Sequence, residues 1–119
     1  MNTDKTAREL AEELIKQITQ LKCGYREILN LAKMLEEAEI PHILVQVMDG
    51  WHLCYPVREP LEKRVCSVIE HYGSYGHEQD LLEIMGLLTA EEEQHDSVAG
   101  WLSAEDVFAR IKAHWEERR

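Results

Sequence analysis

The sequence HILVQVMDGWHLCYP, residues 42 to 56, sets Asp49-Gly50 between two runs rich in β-branched and aromatic residues. An Asp-Gly pair in this setting is the strongest short-range signal for a two-residue hairpin turn. We therefore predict a β-hairpin with Asp49 and Gly50 as its turn, in which Val45 pairs with Cys54. Both faces of this hairpin carry apolar side chains, which indicates a sheet covered on both sides or awaiting a partner on one.

Helical spacing of apolar residues is found on both sides of this hairpin in the sequence. Residues 4 to 22 and about 25 to 39 each carry an apolar stripe, and Gly24 between them suits a helix end. The short connection predicts an antiparallel helical hairpin. In its second helix we expect the inward residues to be Ile28, Leu29, Ala32, Leu35 and Ala38.

Two further β-rich segments and two helix starts follow the hairpin. Residues 64 to 72 predict a strand, whereas residues 81 to 86 fit a strand or a helical turn, of which we favour the strand. Thr89 and Ser103 are hydroxyl caps with an acid three positions later, so each predicts a helix, a brief one and a C-terminal one. The predicted fold is a single α+β domain over residues 1–119, with an N-terminal helical hairpin, a three- to four-stranded mainly antiparallel sheet and a C-terminal helix.

The negative charge of the chain is concentrated in one segment. Residues 65 to 109 contain ten acids and neither Lys nor Arg, whereas the remaining positions balance 13 acids with 13 bases, so this segment accounts for the whole net charge of −10. Such a surface repels nucleic-acid phosphates, which argues against direct DNA or RNA binding. Three interpretations remain: a solvated face that maintains solubility, a docking surface for a basic protein, or a mimic of DNA.

The segment HYGSYGHEQD, residues 71 to 80, combines histidines, tyrosines, glycines and acids. His71 or His77 could serve as a general base in a small enzyme, but no nucleophile accompanies them in a recognisable motif. Glycine, serine and tyrosine are also common in wide hairpin loops, so we favour a turn over a catalytic site and assign no catalytic residue.

Three cysteines, Cys23, Cys54 and Cys66, form neither a C-x-x-C pair nor an even set, which predicts reduced, buried thiols. His52, Cys54 and Cys66 could approach one another as metal ligands, but their spacing matches no standard zinc pattern. We therefore expect no metal and no cofactor. The chain also contains neither an apolar run long enough to cross a membrane nor a secretory signal, which predicts a cytoplasmic protein.

From about residue 42 onward, the segments MDGWHLCYP, VCSVIEHYGSYGHEQDLLEIMGLL and GWLSAEDVFARIKAHW resemble small proteins encoded in prophages and mobile elements of Gram-positive bacteria. No activity is assigned to such proteins, so the resemblance implies no catalytic residue. It implies an accessory protein that acts on a host or phage machine.

These observations lead us to expect a non-enzymatic protein-interaction module with an acidic surface, a basic protein partner and a possible homodimer. The alternatives are an acidic nucleic-acid mimic that inhibits a DNA-binding protein and a small enzyme that uses the His71/His77 loop. The expected partner-binding residues are Tyr72, Tyr75, His77, Glu78, Asp80, Glu91, Glu92, Glu93 and Asp96.

Overall fold

A computed structural model describes residues 7–11 and 25–118 of the protein. Residues 7 to 11 are helical and exposed. The rest of the predicted first helix, and with it the predicted helical hairpin and Cys23, lies outside the described residues.

In the described part of the chain, five strands form one antiparallel sheet in which each strand pairs with the next along the chain. They are β1 (Ile43–Val47), β2 (Gly50–Tyr55), β3 (Cys66–Glu70), β4 (Leu82–Met85) and β5 (Val98–Leu102). The α+β class and the antiparallel sheet are confirmed, and residues 82 to 85 form the favoured strand. The sheet has one strand more than expected, because β5 lies between the two helices predicted to start at Thr89 and Ser103, where we expected no strand.

The first hairpin turns one residue earlier than predicted. Val47 pairs with Gly50, so Met48 and Asp49 form the turn, and Val45 pairs with His52 rather than with Cys54. The glycine is needed in the strand, because a Cβ at position 50 would collide with the carbonyl oxygen of Glu70. Each pairing partner moves by two residues along β2, so the side chains keep their predicted faces.

Within residues 25–118, three α-helices accompany the sheet: α1 (Glu27–Glu37), α2 (Ala90–His95) and α3 (Ala104–Glu117). Helices α1 and α3 pack on each other and against one face of the sheet, where they enclose the core. The fully buried aliphatic side chains of this core are Ile28, Leu31, Leu35, Leu53, Val68, Leu82, Ile84, Val107 and Ile111.

The inward residues of the helical segment at α1 differ from the predicted ones at three positions. Leu31 is fully buried, whereas Leu29 is 40% exposed and Ala38 is exposed. Ile28, Leu31 and Leu35 are spaced by three and four residues, as one face of a helix requires. The prediction erred because Leu29 and Leu31 both fit an apolar stripe, and only the packing against the sheet distinguishes them.

Both predicted helix starts are confirmed. The Thr89 side chain accepts from the Glu92 backbone N–H, and the Glu92 carboxylate accepts from the Thr89 N–H, which completes a capping box for α2. The Ser103 side chain accepts from the Asp106 N–H at the start of α3. Within the described residues, no helix is long and apolar enough to cross a membrane.

Candidate functional site

The loop of residues 71 to 81 joins β3 to β4 and, together with β5, forms a cleft of about 310 Å³. Four of the predicted partner-binding residues line this cleft, and so does Trp101, which was not predicted. The side chains in question are Tyr72, Tyr75, His77, Glu78 and Trp101, with Gly73 and Gly76 between them.

Two aromatic rings form one wall of the cleft. Tyr75 and Trp101 stack with their ring centroids 5.5 Å apart and an interplanar angle of 17°. The residues remain 48% and 58% exposed, respectively, and Tyr72 beside them is 62% exposed. Large aromatic side chains that stay in solvent leave a sizeable apolar area available for a ligand.

The backbone around this aromatic pair is specialised to bring the two rings together. Trp101 has a φ of 56°, a left-handed conformation that is rare for a bulky residue and costs about 1–3 kcal/mol. A Cβ on Gly100 would collide with the Cβ of Tyr75, and a Cβ on Gly76 would lie 3.0 Å from the Trp101 Cα. The glycines on both sides therefore permit the close approach of loop and strand.

Two carboxylates hold the loop in place by accepting hydrogen bonds from its backbone. Asp49 accepts from the Tyr72 N–H at 3.0 Å and from the Tyr25 hydroxyl at 3.1 Å, and Glu83 accepts from the Tyr75 N–H at 2.9 Å. Partial burial opposes ionisation of Asp49, but the bonds from Tyr72 and Tyr25 outweigh it and lower the pKa of this carboxyl. Both aromatic residues of the loop are thus anchored through their backbone, which leaves their side chains free to face the cleft.

The histidines of the loop make contacts within the fold. The Ser74 hydroxyl donates to the His71 carbonyl at 2.9 Å and accepts from the His71 N–H at 3.1 Å, so it bonds to backbone and not to an imidazole. His71 Nδ1 accepts from the Gly73 N–H at 3.0 Å. His77 lies 3.5 Å from the Tyr25 hydroxyl and 3.7 Å from a Glu78 carboxylate oxygen. These bonds stabilise a turn and do not pair a nucleophile with a base.

Asp80 belongs to the same loop, but its carboxylate stabilises the start of α1. Its carboxylate accepts from the backbone N–H groups of Arg26 and Glu27 at 2.9 and 3.0 Å, at the start of α1. Glu70 lies beside it, fully buried, and accepts from the Ile28 N–H at 3.1 Å. Burial, reinforced by the neighbouring Asp80, raises the pKa of Glu70 to about 9.

The remaining predicted acids lie on α2 and at its end. Glu92 forms a two-pronged ion pair with Arg110, with N–O distances of 2.7 and 2.9 Å. The guanidinium of Arg110, helped by the Thr89 N–H, lowers the pKa of Glu92 to about 2. Glu91, Glu93 and Asp96 are exposed.

The acids of the charged segment therefore divide into separate groups. The loop acids precede β4 and those of α2 follow it, so the two groups lie beyond opposite ends of this strand. Glu70 is buried, Asp80 caps a helix and Glu92 is neutralised by Arg110. These three carboxylates are thus engaged within the fold.

The cysteines do not assemble a metal site with His52. Cys54 Sγ lies 3.4 Å from His52 Nε2, but Cys66 pairs with Tyr55 and faces the core. Cys54 and Cys66 are free and buried, as predicted. Burial raises the pKa of Cys66 to about 12, which keeps it as a thiol. Among residues 7–11 and 25–118, no group of three or more His, Cys, Asp or Glu side chains could hold a metal ion.

Sequence reasoning missed Trp101, because residues 100 to 106 fit a helix start and residues 97 to 100 fit the end of the brief helix before it, so no strand was expected there. The available signal was the Gly100-Trp101 pair, since glycine next to a large aromatic residue within an apolar run is typical of a close backbone approach. Comparisons with protein families, curated proteins and solved structures found no match for this chain. The geometry of the cleft is therefore the basis for a functional assignment.

Proposed function

We propose that the protein is a non-enzymatic interaction module that binds a basic segment of a partner protein in the cleft between the 71–81 loop and β5. The observation that carries this proposal is the exposed Tyr75–Trp101 stack beside the solvent-exposed carboxylate of Glu78. In the context that the sequence resemblance implies, the partner belongs to a host or phage machine.

The aromatic wall supplies the attraction for a cation. The faces of tyrosine and tryptophan rings are electron-rich, and an arginine guanidinium or a lysine ammonium placed over them gains about 0.5–2 kcal/mol. Arginine fits best, because its planar group stacks on a ring while its N–H groups remain available to a carboxylate. Tyrosine and tryptophan are also the residues that most often dominate the energetics of protein interfaces.

The charge around the cleft favours the same ligand. The Glu78 side chain is 86% exposed, so its carboxylate is available to pair with an incoming cation. The sequence has neither Lys nor Arg from residue 65 to residue 109, so the chain segment that builds the cleft contains no fixed positive charge of its own. A basic segment is thereby attracted over a distance, which speeds its encounter with the cleft at low salt.

The rigidity of the cleft adds affinity. Backbone bonds to Asp49 and Glu83 fix the loop, and the left-handed Trp101 is held against Tyr75 before any ligand arrives. A preformed site loses less conformational entropy on binding than a mobile one. Backbone strain of this kind is typical of functional positions.

A selection experiment tests the proposal. A displayed library of random peptides is selected against the wild-type protein, against Trp101→Ala and against Leu61→Ala. Leu61 is a matched control, because it is 68% exposed and lies outside the cleft. We expect the wild type and Leu61→Ala to enrich the same peptides with arginine or lysine, and Trp101→Ala to lose at least about tenfold in affinity for them.

The salt dependence of peptide binding distinguishes electrostatic attraction from non-specific apolar binding. Raising the ionic strength from 0.05 to 0.5 M should weaken binding of the enriched peptides, because it screens the attraction between Glu78 and the cation. Enrichment of acidic or purely apolar peptides by the wild type would contradict the proposal. Equal binding by Trp101→Ala would contradict it as well.

A further inference from the structure

The two outer strands of the sheet, β1 and β5, differ in how their free edges are protected. A free edge exposes unpaired backbone N–H and C=O groups, and proteins normally block it with charges, prolines, bulges or a covering element. Strand β5 has such protection: its pairing with β4 is irregular between Leu82 and Ile84, Trp101 is left-handed, and α2 packs against it.

Within residues 7–11 and 25–118, strand β1 lacks these protections. Its five residues pair regularly with β2, and its sequence, ILVQV, contains neither a charge nor a proline. Among the residues that the structure describes, no strand pairs with its outer edge. Natural proteins seldom leave a regular, apolar edge of this kind without a partner.

The hairpin geometry identifies the backbone groups that face outward. Val47 and Gly50 flank the two-residue turn, so they form a hydrogen-bonded pair, and alternate pairs along an antiparallel ladder repeat that state. Val45 and Ile43 therefore bond to β2. The N–H and C=O groups of Leu44 and Gln46 point away from the sheet.

We infer that β1 pairs antiparallel with β1 of a second copy of this chain, across a two-fold axis at Val45. In this register, Leu44 of each copy faces Gln46 of the other, so the outward backbone groups meet as hydrogen-bonded pairs. Val45 meets its own counterpart, and Ile43 meets Val47. The strand is thus complementary to itself, as a two-fold interface requires.

The distribution of charge favours a second copy as the occupant. Two copies with a net charge of −10 repel each other over most of their surface. Residues 40 to 48 are free of Asp, Glu, Lys and Arg, so β1 and its flanks form a surface where two copies meet without juxtaposed like charges. The apolar row of Ile43, Val45 and Val47 also continues across the axis.

Analytical ultracentrifugation of the full chain at concentrations from 1 to 500 μM tests this inference. We expect the wild type to sediment as a dimer and Gln46→Pro to sediment as a monomer. Gln46 is exposed, and its outward N–H makes no bond to β2, so proline there removes a contact between copies without breaking the sheet. The matched control Gln46→Thr keeps the N–H and should remain a dimer, whereas proline should raise the dissociation constant at least about tenfold.

Two variants with opposite charges at Val45 test the β1–β1 dimer independently of Gln46→Pro. Val45→Lys and Val45→Glu should each be monomeric, because like charges would face each other across the axis, and mixing them should restore a 1:1 dimer. A wild type that stays monomeric to 500 μM overturns the inference. So does a dimer that survives Gln46→Pro, or a mixture of the two charged variants that fails to associate.

Discussion

Trp101 stacks on Tyr75 with a centroid distance of 5.5 Å, although the first lies in an edge strand and the second in the loop between β3 and β4. This contact joins two separate parts of the chain into one exposed aromatic surface. It depends on Gly100, whose missing side chain leaves room for the Cβ of Tyr75. The stack is therefore a feature of the tertiary fold and not of either segment alone.

Replacing Gly100 with alanine should separate the two rings. The added Cβ would collide with Tyr75, and relieving the overlap by moving loop or strand should cost about 1–3 kcal/mol of unfolding free energy. Gly73→Ala is the matched control, because a Cβ there meets only the His71 side chain, at 3.4 Å. Chemical denaturation measures both variants, and an equal effect of the two would contradict the role given to Gly100.

Substitution of Asp80 should affect stability, whereas substitution of Glu78 should affect binding. Asp80→Ala removes the carboxylate that accepts from two N–H groups at the start of α1, so we expect it to lose about 1–2 kcal/mol of unfolding free energy. Glu78→Ala should leave stability within about 0.5 kcal/mol of the wild type but weaken the binding of basic peptides. Thermal melting and peptide titration on the same samples check both expectations. An Asp80→Ala variant as stable as the wild type would contradict the role of Asp80 as a cap of α1.

The buried Glu70 should make stability fall as pH rises. Its pKa is about 9 in the folded protein and near 4.5 when unfolded, so the folded state holds the proton more tightly. Its contribution is complete below about pH 4.5 and is lost as the pH rises through about 9. Glu70→Gln imitates the protonated form and should become increasingly more stable than the wild type between pH 5 and pH 9. A constant difference in unfolding free energy over this range would contradict the assignment.

The Glu92–Arg110 pair should make stability fall as the pH is lowered. The pKa of Glu92 is lowered to about 2, so its stabilising contribution is present above about pH 4.5 and is lost as the pH falls toward 2. Glu92→Gln keeps a side chain suited to the capping box but removes the charge. We expect this variant to lose about 1 kcal/mol at pH 7 and to match the wild type near pH 2. Urea denaturation at both pH values measures the difference.

Local signals in the sequence predicted the elements whose causes are local. The hydroxyl caps at Thr89 and Ser103 identified two helix starts, and the Asp49-Gly50 pair identified the first hairpin. The turn itself was displaced by one residue because Gly50 is required opposite the Glu70 carbonyl, which is a tertiary constraint. Pairing with β4 similarly gives residues 98 to 102 a strand conformation that their own sequence did not indicate.

The candidate site could be predicted only in part for the same reason. The 71–80 segment stood out by its composition, and four of the five partner-binding residues predicted within it do line the cleft. The aromatic partner Trp101 was missed because it reaches the cleft through the unpredicted β5. Counting charges along the chain could not reveal that Asp80 and Glu92 are used within the fold, since their partners at the start of α1 and at Arg110 are distant in sequence.

An NMR titration tests the central claim most directly. Two peptides of equal length and otherwise identical sequence, one with arginine and one with glutamine at its centre, are added to the isotopically labelled protein. We expect the arginine peptide to shift the amide signals of Tyr72–Gln79 and the indole signal of Trp101, and the glutamine peptide to leave them nearly unchanged. Shifts located elsewhere, or equal shifts with both peptides, would contradict recognition of a basic segment by the Tyr75–Trp101 cleft.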